Sequence, residues 1–486
     1  MTTDTDETYV CYRCIGDPFL REEVKAEGAR KACDYCGKKR AGILLSDLAD
    51  RVHETMERYY VLTPDTPGTE GGMIDPEMGW ERRGEPVLHV IAEIANIDEK
   101  IASAIVEHLS EQHGYDAFEG GYESPYGFEA CYEERRADDL DLRDRWAAFR
   151  SEIGARARFF SPHARNDLDE IFGDVSTLRT WQGTPAVREI QPGEESHFVY
   201  RARVAYSSDE IQKFLKDPAR ELGPPSSRVA RAGRMNASGI SVFYGAQDAQ
   251  TCIAEVRAPV GSHVVVGRFE IVRPVRLLDF DVLTQVVVKG SLFDPEYGAR
   301  LSRAAFLRRL VREISRPVMP RDEEFEYLPT QVVAEYLAAC VSPRLDGIIF
   351  HSSQTNEEGR NVVLFNHACV VEPYDLPEGS EISFLMGWET EDDFDDGIAI
   401  FETVPDKQEQ QEQGGPGSGI DRFADMAHDP FDPAAARPEK FLPTHDPTLR
   451  LDVAGVEVLR IRAVTYDPSN RHVMRIRRNK SDKEPF

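Results

Sequence analysis

Apolar residues recur at helical spacing over residues 43–60. There Ile43, Leu44, Leu48, Val52, Met56 and Tyr59 fall on one stripe, with Ser46 and Asp47 available as caps. The same period puts Leu88, Ile91, Ile94, Ile101, Ile105 and Leu109 on one face and predicts a single helix over residues 87–112. Residues 139–160 and 165–179 repeat the pattern, so residues 43–180 read as mainly helical. Two stretches interrupt it. Thr63–Pro86 is rich in Pro, Gly and acidic residues, and Gly114–Gly127 in Gly and Tyr. A loop as long as the first is either disordered or functional.

The period changes near Gln191. His197–Val204, Gly239–Gly245 and His263–Ile271 read as strands, Leu301–Ile314 and Thr330–Cys340 as helices, and Gly347–Phe350 and Val362–Phe365 as short buried strands. Such a mixture predicts an α/β or α+β domain. After Tyr374 the pattern weakens. Glu389–Asp396 is an acidic run, Asp406–Gly419 (DKQEQQEQGGPGSG) has the composition of a flexible linker, and Pro-rich sequence continues to Pro447. Strand character returns over Gly455–Arg478, and no internal repeat is visible. The predicted organisation is therefore a short cysteine-rich module (1–42), a helical domain (43–190), a mixed domain (191–373), an acidic flexible insert (374–450) and C-terminal strands (451–486).

A chain of 486 residues exceeds one ordinary core, in line with several domains. Its 58 basic against 86 acidic residues leave a net charge of -28, the wrong sign for a broad nucleic-acid surface and a common aid to solubility. No apolar run approaches a membrane span, so no membrane partner is expected. The acidic, polar start Met1–Val10 lacks the basic-then-apolar order of a secretory signal, and the expected location is the cytoplasm.

Four of the eight cysteines stand together as CxxC, eighteen residues, CxxC: Cys11, Cys14, Cys33 and Cys36. Each pair can form a tight turn that aims two thiolates at one point, and two such turns supply the four soft ligands of a tetrahedral structural zinc. Four thiolates leave no open position, so this zinc should not be catalytic. Cys131, Cys252, Cys340 and Cys369 are scattered and read as small buried hydrophobes. Arg158 and His163, spaced R-x4-H, resemble the Arg and His of ribonuclease members of the HEPN helical bundles. Pro162 disrupts the helix that would orient them, and a module that positions its neighbour or dimerises is the simpler expectation.

The chemistry-bearing segments begin at Tyr200. In order they are YRAR (Tyr200–Arg203), RAGRMNASGISVFYGA (Arg231–Ala246), TCIAEV (Thr251–Val256), YLPTQVVAEYL (Tyr327–Leu337), DGIIFHSS (Asp346–Ser353) and GRNVVLF (Gly359–Phe365). Over about residues 197–370 this succession resembles the RES domain family. The Gly-Arg-Met-Asn stretch, the Tyr ten residues on, the Glu eleven further, and the late Ser and Asn follow in the family's order. Met235 stands where an aromatic is usual, and the stretch between Arg201 and Arg234 is longer than in the family. The zinc-plus-helical N-terminus resembles a HEPN-like extension that precedes some RES domains.

The resemblance implies an α+β fold related to the ADP-ribosyltransferases, and a toxin that consumes NAD+ while a neighbouring antitoxin restrains it. NAD+ joins a dianionic pyrophosphate to a cationic nicotinamide riboside, and its cleavage passes through an oxocarbenium ion. Arg201 and Arg234 are then the candidates for bidentate pyrophosphate contacts, with Arg203 as an alternate, and Gly233 for close backbone approach. Glu255 would favour the developing cation, Tyr244 would hold the nicotinamide ribose, and Asn236, Ser352 or Ser353 would hydrogen-bond the ligand. The partners expected are NAD+, an antitoxin protein and a second copy of the chain. Protein ADP-ribosylation at the same site, RNA cleavage by a HEPN module and a non-enzymatic zinc-bearing interaction role are the competing readings.

Overall fold

The computed structural model describes residues 8–64, 82–113, 124–156, 161, 163–194, 196–319, 321–356, 358–389, 394–405 and 446–465. Most of the Thr63–Pro86 loop, Arg158, the Asp406–Gly419 run and the basic C-terminal end lie outside the described residues. Two compact units emerge where the sequence pattern separates five segments: Met1–Ala186 with Asp281–Ile314, and Val187–Phe280 with Ser315–Phe486. Among the described residues no helix is long and apolar enough to cross a membrane.

The first unit opens on a three-stranded antiparallel sheet, in the order Tyr9–Cys11, Lys39–Leu44, Ala29–Ala32. Ile43 and Leu44 belong to its central strand, so the first stripe forms a helix only over Leu45–Tyr59. That helix buries Leu48, Val52 and Met56 against Val90, Ile91, Ile101 and Ile105. The helix expected over residues 87–112 is two helices, Val87–Ala95 and Glu99–Gln112. Asn96 turns into the left-handed region at φ 47°, and Asp98 caps the second helix by accepting from the Lys100 N–H at 3.0 Å. One apolar stripe ran through the break because both helices bury against the same core. Further helices are Leu140–Ala155, Ala164–Phe172 and Tyr297–Ser315. His163 is exposed immediately before the second of these.

The second unit is built on an eight-stranded mixed sheet. Its order is Leu449–Arg460, His263–Ile271, Phe198–Ala205, Phe243–Ala246, Arg360–Leu364, Gly347–His351, Val275–Asp279, Val187–Ile190. All neighbours are antiparallel except Val275–Asp279 with Gly347–His351. Both faces are buried, which explains continuous apolar runs such as VVV at 264–266. Ile211, Phe214 and Leu215 join the cluster around Phe243, Val265 and Phe269, whereas Cys252 and Ala258 join the one around Ala202, Val264 and Val266.

The sheet extends beyond the sequence-based boundaries at both ends. Val187–Ile190 forms one edge and Leu449–Arg460 the other, the latter paired along His263–Ile271. Order also does not fall away at Tyr374. Glu381–Glu389 and Phe394–Thr403 pair antiparallel, with Phe384 opposite Ile400 and Met386 opposite Ile398. Phe384 and Ile398 pack against the sheet's core, an alternation hidden among acidic neighbours in the sequence.

Candidate functional sites

Within the first unit the four N-terminal cysteines converge. Their sulfurs all lie within 4.8 Å of one another, with Cys11–Cys14 and Cys14–Cys33 at 3.8 Å and Cys11–Cys36 at 3.6 Å. A tetrahedron with metal–sulfur bonds of about 2.3 Å has edges of about 3.8 Å, so donor set and spacing fit a zinc-sized ion. Each CxxC is a tight turn: the Cys14 N–H donates to Cys11 O at 2.8 Å and the Gly37 N–H to Cys33 O at 2.8 Å. Gly37 sits at φ +68°, where a side chain would be strained. Burial pushes the Cys11 and Cys14 thiols up, while the Lys38 N–H holds Cys36 down at about 7. Four sulfurs this close together could be held as thiolates by a cation between them.

The second unit holds a cavity of about 430 Å³, within the range of small-molecule sites. Its lining includes Arg201, Gly233, Arg234, Tyr244, Cys252, Glu255, Arg257, Tyr327, His351, Ser353, Gln354 and Asn361. Arg201 projects from the strand Phe198–Ala205 with its guanidinium 5.3 Å from the Phe243 ring centroid. Its Nη1 is buried and, among the described residues, finds no hydrogen-bond partner. Burial, with Arg203 nearby, lowers its pKa to about 10, so it stays charged at neutral pH. Arg203 does not line the cavity; its Nη2 donates to Gly223 O at 3.4 Å.

Glu255 closes the short helix Ala249–Glu255, which starts where Asp248 accepts from both the N–H and the hydroxyl of Thr251 at 2.7 Å. One carboxylate oxygen, Oε1, accepts from the Ser352 hydroxyl at 2.6 Å and from the Asn361 amide at 2.6 Å. Ser352 is fully buried and absent from the lining, so it orients Glu255 while Ser353 faces the cavity. Asn361, in the GRNVVLF segment, is the late Asn of the family resemblance, but the sequence gives it no role at the site. Its position, directly across the sheet from Ala246, brings it to Glu255.

Tyr244 and Asn236 hold a turn. The Tyr244 hydroxyl accepts from the Met235 N–H at 2.8 Å and donates to Asn236 Oδ1 at 2.9 Å. Burial pushes the phenol up, keeping that proton in place. Asn236 spends its amide on the carbonyls of Arg231, Ala237 and Ile240, holds the loop, and lies outside the lining. Gly233 is required because a Cβ there would come within 2.7 Å of both Asn236 Oδ1 and the Tyr244 hydroxyl. Thr330 and Gln331, at the start of the helix Leu328–Ala339, donate to Arg234 O at 2.5 Å and Gly233 O at 2.8 Å. Arg234 lies 5.3 Å from the Tyr327 ring centroid and donates to Arg316 O at 2.9 Å. Tyr244→Phe is expected to leave the Met235 N–H and Asn236 Oδ1 without their partner. It should cost about 1–3 kcal/mol in denaturant unfolding while the sheet persists. An unchanged midpoint would show that the turn does not depend on this hydroxyl.

Three guanidinium groups and the carboxylates of Glu255 and Glu323 thus share one cavity with aromatic walls. Such a set can bind a phosphoryl anion and set a carboxylate against a neighbouring electron-poor carbon. No curated protein and no solved structure matches the chain. Residues 199–384, which carry every cavity residue named above, match the RES domain family, and the chain contains a RES domain.

Proposed function

We propose that the RES domain cleaves the N-glycosidic bond of NAD+, by water or by phosphate, and releases nicotinamide. The observation that carries this reading is the buried, unpartnered Nη1 of Arg201 in the same cavity as Glu255. A buried cation without a counter-charge is costly, and a ligand phosphate would supply what the protein leaves out. Arg201 and Arg234 would take the pyrophosphate. Glu255 Oε2, with Oε1 already occupied, would face the nicotinamide ribose and stabilise the oxocarbenium ion as the C1–N bond breaks. Nicotinamide leaves with the bonding electrons as a neutral base, so no general acid is needed. Attack by water gives ADP-ribose and a proton, and attack by phosphate gives the 1″-phosphate. The RES domain suggests a toxin-like family, and on this reading an antitoxin protein would restrain the activity. The ion of the cysteine cluster is, on the same footing, a structural zinc, and a second copy of the chain is a further proposed partner.

Incubation of purified protein with NAD+, followed by mass spectrometry for nicotinamide, tests the reading directly. A protein that never releases nicotinamide, alone or freed of a partner, ends it. Arg201→Met separates binding from folding. A cation whose pKa is lowered in the folded state costs stability while charged, at every pH below about 10, and the cost fades as pH rises through that value. The variant is therefore expected to melt no lower than wild type yet lose NAD+ and ADP binding by calorimetry. Retained affinity would remove Arg201 from the ligand site.

A further inference from the structure

Among the described residues only three non-glycine residues have positive φ: Asn96, Arg257 and Asn356. Two are asparagines, which tolerate the left-handed region through local hydrogen bonding. Arg257, at φ 48°, has no such excuse. It stands two residues beyond Glu255, and its N–H donates to Ala254 O at 3.2 Å, closing the helix Ala249–Glu255 in the manner usually assigned to glycine. The next residue, Ala258, is buried and anchors the turn. Arg257 lines the cavity, is exposed, and has no ion pair or hydrogen bond for its guanidinium among the described residues. A long cation thus occupies a position where glycine is locally more stable, and the cavity is what that conformation reaches. Strain kept at a ligand cavity is a mark of function rather than of folding.

We propose that Arg257 binds a phosphoryl oxyanion at the Glu255 end of the cavity and so helps determine which anionic ligand the site accepts. The proposal rests on the NAD+ reading for the identity of the substrate but not for the anion. Two sources share that chemistry: the pyrophosphate of NAD+, and free phosphate acting as the attacking group. In the first case Arg257 adds to substrate affinity. In the second it holds a phosphate oxygen beside the anomeric carbon, the new C–O bond forms as the C1–N bond breaks, and nicotinamide departs with the electron pair.

Arg257→Gly and Arg257→Asn both suit the left-handed backbone and remove the charge. Each would be compared with wild type for melting temperature, for binding of ADP and of inorganic phosphate by calorimetry, and for nicotinamide release at varied NAD+ and phosphate. Arg257→Gly is expected to melt at the same temperature or roughly 2–4 °C higher. Both variants are expected to lose roughly ten- to hundredfold in anion binding. A loss in ADP affinity and KM for NAD+ assigns Arg257 to the substrate pyrophosphate. A loss confined to phosphate binding and to the phosphate dependence of turnover assigns it to the attacking group. Variants that bind both anions and turn over like wild type overturn the proposal. Arg257-dependent anion binding in a wild-type protein that never releases nicotinamide would overturn the NAD+ reading instead and leave the anion site standing.

Discussion

Glu255→Gln is expected to release nicotinamide from NAD+ at least about a hundredfold more slowly than wild type, a loss on the order of 3 kcal/mol of transition-state stabilisation. The geometry makes the substitution unusually clean. Ser352 and Asn361 both donate to the same oxygen, Oε1, so the glutamine carbonyl can take both hydrogen bonds and place its amide where Oε2 stood. Packing and the two positioning contacts are kept, and the negative charge alone is removed. Melting temperature and NAD+ affinity should move little, while kcat carries the loss. A folded Glu255→Gln protein with wild-type turnover would falsify the assignment of Glu255 to the reacting ribose.

Cys33→Ser combined with Cys36→Ser is expected to abolish metal binding and to unfold the N-terminal three-stranded sheet. The reason is energetic. That sheet is short, its strand Ala29–Ala32 is exposed throughout, and Cys33 follows that strand directly. Structural zinc sites contribute about 10–16 kcal/mol of binding free energy in small zinc modules, far more than such a sheet supplies unaided. Metal analysis of wild-type protein should give one zinc per chain, and the double variant none, with lower solubility. Because four thiolates must be free of protons, acidification should release the ion, as should a strong chelator. Native protein that carries no zinc after purification without chelators would remove the zinc assignment. Nicotinamide release should not track zinc content directly, since a closed tetrathiolate has no position for substrate.

Much of the site is legible in the amino-acid sequence because its chemistry is local. Gly233, Arg234, Tyr244 and Glu255 lie close together along the chain, at spacings that a turn, a strand and a short helix convert into one wall. The cysteine spacing is equally informative, since a CxxC turn dictates where its two sulfurs point. The division of labour is not legible. By residue type Ser352 and Tyr244 look alike as ligand contacts, but the structure places Ser352 behind Glu255, and Tyr244 on the cavity wall with its hydroxyl in the Met235–Asn236 turn. Asn361 and Tyr327 lie far along the chain from their partners, and no local pattern distinguishes an asparagine that holds a cavity carboxylate from one that satisfies a strand end. Arg257 carries no signal at all, because a left-handed φ is invisible in the residue name.

The sequence by itself determined the elements whose driving force is periodic burial: the helical character of residues 43–60 and 87–112, though not their exact bounds, the strand His263–Ile271, and the cysteine cluster. It determined the RES domain through ordered motifs. Only the tertiary structure decided that Val187–Ile190 and Leu449–Arg460 are the two edges of one sheet. It alone paired the strands Glu381–Glu389 and Phe394–Thr403 inside an acidic stretch, and broke the second predicted helix at Asn96. The physical reason is common to all three. Strand pairing joins residues far apart in sequence, and a helix break is decided by what the flanking faces pack against, so neither leaves a mark at the period of any single element.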